Sequence, residues 1–323
     1  MINTVEPYKN KSKMRRVNLF VLVIFGIVLM FQSCNSSVEN TAVSKLFPRP
    51  CDTSNLYYLA NFTNKKLIKS IINKKTLLPN GQERNRGLVA IPQDNDDFRG
   101  ENLDEIYWKG VHVINGDFRG DKFRAAKCQE SNFSGSDFRF CDIRWSYFMN
   151  ANLSHCDFSR SIMFRSYVTE SNLKNSDFRG ANMFGVKGHR ANFRDCDFTN
   201  ALMKESEFLD ADFTNSKAVN VKFVLTVFTG AKMDSMDLCY SDFTGAGLED
   251  VSFVNARIHK VQFRGAHLQG ANFNGADLNG SNFFAAEFVN TDFTGATNIP
   301  KGVKELIVNG KATGVCSLNT NSI

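Results

Sequence analysis

Ala271-Asn272-Phe273-Asn274-Gly275-Ala276-Asp277-Leu278-Asn279-Gly280 spells one five-residue unit twice. Outward from this stretch the register holds without a slip. Every fifth residue from Phe98 to Phe293 is a slot for a large apolar side chain, forty in all: twenty-one are Phe, fifteen are Leu, Ile, Met or Val, and only Trp108, Cys128, Gly188 and Ala218 depart. Most of the chain's 30 phenylalanines therefore have one structural role. Two positions before the slot sits a small residue, as at Ala151, Ser171, Ala181 and Ala211; one before it is often Asp or Asn, and two after it often Gly or Asn.

A period of five fits neither the 3.6 of a helix nor the 2 of a strand, so neither element could bury these slots along one face. The remaining solution is a solenoid that turns a corner every five residues and points the slot and the small residue inward. Four sides close a coil of twenty residues. That longer period is visible in Asp97-Phe98-Arg99-Gly100, Asp117-Phe118-Arg119-Gly120 and Asp177-Phe178-Arg179-Gly180. Coils about 4.8 Å apart would give a rod on the order of 45–50 Å long, with Phe98, Phe118, Phe138, Phe158, Phe178 and Phe198 stacked on one side.

The motif, read again in Ala181-Asn182-Met183-Phe184-Gly185, Ala191-Asn192-Phe193-Arg194-Asp195 and Ala211-Asp212-Phe213-Thr214-Asn215, resembles the pentapeptide repeat family. The resemblance implies an all-β chain, a right-handed quadrilateral β-helix of about ten coils over residues 96–297. It carries less about function than about fold.

The N-terminus has a different character. Lys11, Lys13, Arg15 and Arg16 precede an apolar run from Val17 to Phe31, which ends at Gln32-Ser33-Cys34. A basic region, a short apolar core and a small residue before the cut describe a secretory signal. The run falls short of the roughly twenty apolar residues of a comfortable membrane span. With Cys34 after Ser33 it resembles a bacterial lipoprotein signal over residues 1–33, with Met14 as an alternative start; Cys34 would carry the lipid, and Phe31 and Gln32 depart from the common pattern. Residues 34–54 then read as a tether. In the segment 55–95, Leu67, Ile68, Ile71 and Ile72 share one face of a helix ended by Pro79-Asn80-Gly81, which makes it a small helical cap over the exposed first coil. Residues 298–323, with Ile299, Val303, Leu306 and Ile307, read as the cap and tail of the other end.

The formal charge of +6 conceals a division: residues 96–296 hold 22 Lys and Arg against 27 Asp and Glu, net −5, whereas residues 1–95 hold 14 against 5, net +9. Arg99, Arg119, Arg139 and Arg179 line up at multiples of twenty, as a phosphate-binding edge would. Asp97, Asp117, Asp137, Asp157, Asp177 and Asp197 share that face, however, so cross-coil pairing predicts a self-neutralised ladder and no nucleic-acid site. Of the eight cysteines, Cys141, Cys156 and Cys196 take small-residue slots and Cys128 a central one, as buried apolar groups, while Cys239 is expected to face outward. No zinc spacing, Gly-rich phosphate loop or nucleophile motif appears, and His112, His155, His189, His259 and His267 scatter over different sides. No cofactor, metal or catalytic group is expected.

One surface feature exceeds what the repeat requires. Phe164 and Phe184 follow their slots on adjacent coils, at outward-pointing positions, and Trp145, Tyr147 and Tyr167 fall at or near the same corner with Arg144 and Arg165. Aromatic residues beside arginine have the composition of a binding patch. The expectation is a non-enzymatic lipoprotein, held to the membrane of a bacterial envelope (the outer membrane before the inner) by its lipid, whose rod is a scaffold or binding surface for a protein or glycan. Two alternatives rank lower. Some pentapeptide repeat proteins imitate DNA and protect topoisomerases, which the mild acidity and export signal disfavour; other β-helices are carbohydrate-active enzymes, but they carry inserted loops that this register lacks.

Overall fold

The computed structural model describes residues 76–77, 83–84 and 92–308, all of which belong to the compact unit Ile68–Ile323. The signal and tether, Cys34 and the predicted helical face of the N-terminal cap lie outside the described residues. Within the cap, β1 (Thr76–Leu77) pairs antiparallel with β2 (Glu83–Arg84), so the segment is extended at the point where the predicted helix would end. Pro79-Asn80-Gly81, the expected helix stop, falls in sequence between the two paired strands and has the composition of a turn.

From residue 97 onward the backbone winds as a parallel β-helix. Asp97 bridges Asp117, Asn102 bridges Lys122, Tyr107 bridges Lys127 and His112 bridges Asn132, each to the residue twenty further on, and the series continues to Asp277 with Thr297. These four columns define sides 1 to 4, whose slots begin at Phe98, Leu103, Trp108 and Val113. Only the residue before each slot forms a bridge, since a corner follows at once. The sides therefore appear as isolated bridges and not as strands.

The backbone accounts explain the repeat better than its hydrophobicity does. The Phe118 N–H donates to the Asp137 carbonyl at 2.8 Å, that of Gly120 to Arg139 at 2.9 Å, and that of Asp117 back to Asp96 at 2.8 Å, while the Asp121 N–H closes the corner on Phe118 at 3.0 Å. One N–H in five, that of Arg119, has no carbonyl within this scheme, and it donates to Asp117 Oδ1 at 3.3 Å. Ser134 donates in the same way to Asn132 Oδ1 at 3.1 Å and Thr214 to Asp212 Oδ1 at 3.0 Å. Asp or Asn before the slot is thus the side-chain acceptor that completes the backbone's hydrogen bonding. The corner explains the Gly or Asn: the third residue of each turn has positive φ, as at Gly120 (φ 75) and Asn115 (φ 56), where a side chain is strained.

The interior is filled by rings in register. On side 1 Phe98, Phe118, Phe138, Phe158, Phe178 and Phe198 stack at 5.1, 4.8, 4.9, 5.2 and 5.0 Å, as the twenty-residue period predicts. Where the series ends at Ala218, aromatic stacking continues on other sides, as in Phe223–Phe243 at 4.6 Å and Phe253–Phe273 at 4.7 Å. Gly188 departs from the slot rule for a local reason: a Cβ there would meet the Phe208 ring at 2.8 Å. The ends differ. Phe98 is half-buried on the first coil, whereas Phe293 on the last is fully buried, and the following segment buries Ile299 and, on helix α1 (Lys301–Val308), Val303.

Candidate interaction surface

Side 1 carries the charge ladder. Arg119 donates twice to Asp117, Nε to Oδ1 at 2.9 Å and a terminal nitrogen to Oδ2 at 2.7 Å, and its Nε also lies 3.5 Å from Asp137 of the next coil. Arg99 and Arg139 repeat both contacts, with the cross-coil distance again 3.5 Å. The stronger pairing is therefore within a coil, with the cross-coil contact second. The sequence pattern pointed to cross-coil pairing, but the Asp two positions back on the same outward side is nearer to the guanidinium, 2.7 Å against 3.5 Å across coils at Arg119. Hydrogen bonding from Arg119 holds the Asp117 carboxyl below the usual carboxylate range, and Asp117 in turn raises the pKa of Arg119.

The corner between sides 2 and 3 gathers part of the predicted patch. Trp145 meets Phe164 edge-on at 6.0 Å, and Phe164 stacks on Phe184 at 5.3 Å. The Arg144 guanidinium lies 5.4 Å over Trp145, and that of Arg165 lies 5.3 Å over Phe164. Tyr147 and Tyr167 stack on each other at 5.0 Å around the corner on side 3, and among the described residues they make no ring contact with the other three. Arg144 is also committed to Asp142, to which it donates at 2.6 and 2.7 Å.

The opposite corner of side 2, between sides 1 and 2, holds residues that the sequence pattern did not single out. Phe140 stands there 57% exposed with φ 60, and Arg160 lies 5.7 Å over its ring. A bulky residue with positive φ, in a position occupied by Gly100, Gly120 and Gly180 on other coils, was the available signal. Ile162, exposed between the two corners, completes an apolar strip.

Cys239 corrects an expectation. It is buried, with Asp237, Arg257 and His259 close by. Cys128, Cys141, Cys156 and Cys196 are buried as free thiols, and burial pushes Cys156 and Cys196 up to about 12, far from thiolate chemistry at neutral pH. His259 contacts Asp277 at 2.6 Å and His267 contacts Glu287 at 3.0 Å, as isolated surface pairs. Among the described residues no cluster of side chains suits a metal ion, and no helix is long and apolar enough to cross a membrane.

Among the described residues Asp121 is the one charged residue in the fully buried set, in a small-residue slot where other coils place Ser, Ala or Cys. Serine there makes two bonds: Ser136 accepts from the Gly116 N–H and donates to the Val113 carbonyl, both at 3.0 Å. Asp121 copies the first, accepting from Glu101 N–H at 2.8 Å, but its Oδ2 is buried without a partner. Burial, reinforced by Glu101 and Asp117, raises this carboxyl to about 8, so at neutral pH it is held mainly as the neutral acid.

The sequence matches the family described as Pentapeptide repeats in eight copies between residues 117 and 297, more than half of the chain. No curated protein matches it. Solved structures with similarity include HetL, a pentapeptide repeat protein involved in heterocyst differentiation regulation in the cyanobacterium Nostoc sp. strain PCC 7120, at 20% identity over 61% of this chain and 89% of that one, with a TM-score of 0.26. Full-length QnrB1, a plasmid-mediated fluoroquinolone resistance protein, has 14% identity over 68% of this chain and 98% of its own, with a TM-score of 0.32. A pentapeptide repeat protein of the Arabidopsis thaliana thylakoid lumen has 21% identity over 44% and 84%, with a TM-score of 0.20. The chain belongs to the pentapeptide repeat family, and its coil is that family's right-handed β-helix.

Proposed function

We propose that the chain is a non-enzymatic lipoprotein of a bacterial envelope, tethered through lipid on Cys34, whose rod of about ten coils with a cap at its N-terminal end is a scaffold or binding surface for a protein or glycan. The observation that carries the proposal is the run from Lys11 to Cys34, a basic region, a short apolar core and a cysteine after a small residue, followed by a Ser- and Asn-rich tether. The binding role is supported by the packing of the coil: its interior is filled with side chains from one end to the other, so its outer sides are what it offers a partner. The patch of Trp145, Phe164 and Phe184 with Arg144 and Arg165, flanked by Tyr147 and Tyr167, is the surface we assign to that role.

Metabolic labelling with radioactive palmitate tests the tether. Label is expected on the wild-type chain and not on Cys34→Ala, with processing blocked by globomycin and the protein recovered with membranes. An unlabelled chain in the cytosol would overturn the proposal. For the binding surface, envelope crosslinking should yield a partner that the Phe164→Ser, Phe184→Ser variant no longer captures.

A further inference from the structure

Twelve arginines lie within the described coils, and their partners divide them sharply. Arg99, Arg119, Arg124, Arg139, Arg144, Arg179, Arg190, Arg194 and Arg257 each lie within ion-pair distance of a carboxylate. Arg160, Arg165 and Arg264 have no carboxylate partner among the described residues, and each lies over an aromatic ring, of Phe140, Phe164 and Phe284 respectively. All three belong to side 2 or its two corners. The exposed large apolar residues concentrate there as well: Phe140, Trp145, Ile162, Leu225, Tyr240 and Phe284.

We infer that side 2 of the coil, centred on Phe140, Ile162 and Phe164 between Arg160 and Arg165, is a docking surface for an acidic protein segment that also carries apolar side chains. The inference rests on the proposed role of the coil as a binding surface and names the partner's chemistry. Arg160 and Arg165 are five residues apart, one at each corner of the same side. A guanidinium laid on a ring keeps its in-plane N–H donors free, and those donors match a carboxylate in a two-pronged geometry. Charge complementarity thus selects an acidic partner, in contrast with side 1, where the same donors are already used by Asp117 and Asp137.

The rings discriminate between acidic partners. Sugars pack against open aromatic faces, but here guanidinium groups cover one face each of Phe140, Trp145, Phe164 and Phe284, and Phe164 stacks on Phe184. One face of each of these rings is thereby taken, and the exposed Ile162 side chain between the corners adds a branched apolar surface, which suits the apolar side chains of a polypeptide. The third residue of each turn has positive φ throughout the coil and many side chains stand there, so the turn itself does not call for the aromatics at Phe140 (φ 60) and Trp145 (φ 57).

Fluorescence anisotropy with the purified full-length chain tests the inference, with a labelled peptide of Glu and Leu as probe. Peptides of Lys and Leu, or of Glu and Gly, serve as controls, alongside polygalacturonate and phosphatidylcholine–phosphatidylglycerol vesicles. The Glu–Leu peptide is expected to bind in preference to both controls. The Arg160→Gln, Arg165→Gln variant should weaken it about tenfold or more, and Arg119→Gln, Arg139→Gln on side 1 should leave it within about twofold. Phe140→Asn provides a second variant that should fold at least as well as the wild type, since Asn tolerates this φ, yet bind less tightly. Equal binding by wild type and both side 2 variants would overturn the inference. So would equal binding of the Glu–Leu and Lys–Leu peptides, or binding to vesicles or polygalacturonate without binding to the peptide. None of these outcomes depends on lipid at Cys34, so failure here is distinct from failure of the tether.

Discussion

Sides 1 and 2 share every coil and the same backbone hydrogen bonding, and on both an Arg after the slot pairs with the Asp two residues before it, as Arg119 does with Asp117 and Arg144 with Asp142, yet only side 2 and its corners carry arginines that lie on rings with no carboxylate partner among the described residues. On side 1 each Arg of the ladder is bonded to the Asp two residues before it, and Arg99, Arg119 and Arg139 also lie 3.5 Å from the Asp of the next coil. On side 2 and its corners Arg160 and Arg165 rest on Phe140 and Phe164 and have no carboxylate partner. A charge ladder in a solenoid can thus be wholly structural: the Asp before the slot receives an N–H, and the Arg neutralises the column of carboxylates that results. Arginines outside that scheme are the ones left for other work.

The largest effect expected concerns Asp121, at the corner the two sides share. Its carboxyl is raised to about 8 in the folded chain, against about 3.9 when unfolded, so between these values the folded state holds one more proton than the unfolded state. Stability contributed by the neutral acid is full below about pH 4, falls as pH rises through this window and is lost above about 8, by up to about 6 kcal/mol at 1.36 kcal/mol per pKa unit. Asp121→Ser, which restores the usual pair of hydrogen bonds, should remove this dependence and raise the melting temperature at pH 9 more than at pH 5. Thermal unfolding across that range checks it, and an unchanged slope would show that water reaches the carboxyl.

Interior changes should exceed anything done to either outer surface. Phe138→Ala opens the side 1 stack and is expected to cost about 3–5 kcal/mol, measured by urea unfolding. Met183→Ala, where a flexible side chain fills a slot under side 2, should cost less, about 2–3 kcal/mol. Equal losses would mean that ring stacking adds nothing beyond volume.

A smaller change separates the two duties of the side 1 aspartates. Asp137→Ala removes the acceptor of the Arg139 N–H together with the ion pair and should cost about 1 kcal/mol; Asp137→Asn keeps Oδ1 and should recover most of it. If Asn were as damaging as Ala, charge and not hydrogen bonding would dominate the ladder. Least of all, the Arg160→Gln, Arg165→Gln pair should leave the melting temperature unchanged, because neither guanidinium closes a bond the fold requires. A marked drop would make the cation–ring contacts structural.

Much of this was legible in the sequence because a solenoid turns distance along the chain into contact. Phe98 meets Phe118 and Phe118 meets Phe138 by the period alone, so the interior needed no tertiary information. The grouping of Trp145, Phe164 and Phe184 followed from the same counting. Tyr147 and Tyr167 were placed near them, but one residue before the slot is a different side from two residues after the previous one, and the tyrosines stack apart. Cys239 was misjudged because position gives the direction of a side chain and not the height of its neighbours.

The amino-acid sequence by itself determined the twenty-residue coil, the filled interior, and the small, acidic and glycine-like positions of each unit, because each follows from the geometry of a chain that turns every five residues. Only the tertiary structure decided which acceptor each guanidinium takes. At the surface several partners lie within reach of one long side chain, and the winner depends on relative distances around a corner that no spacing encodes. The exposed Phe140 ring beneath Arg160 and the unpartnered Oδ2 of Asp121 belong to the same class: each is a departure from the repeat whose meaning lies in what surrounds it.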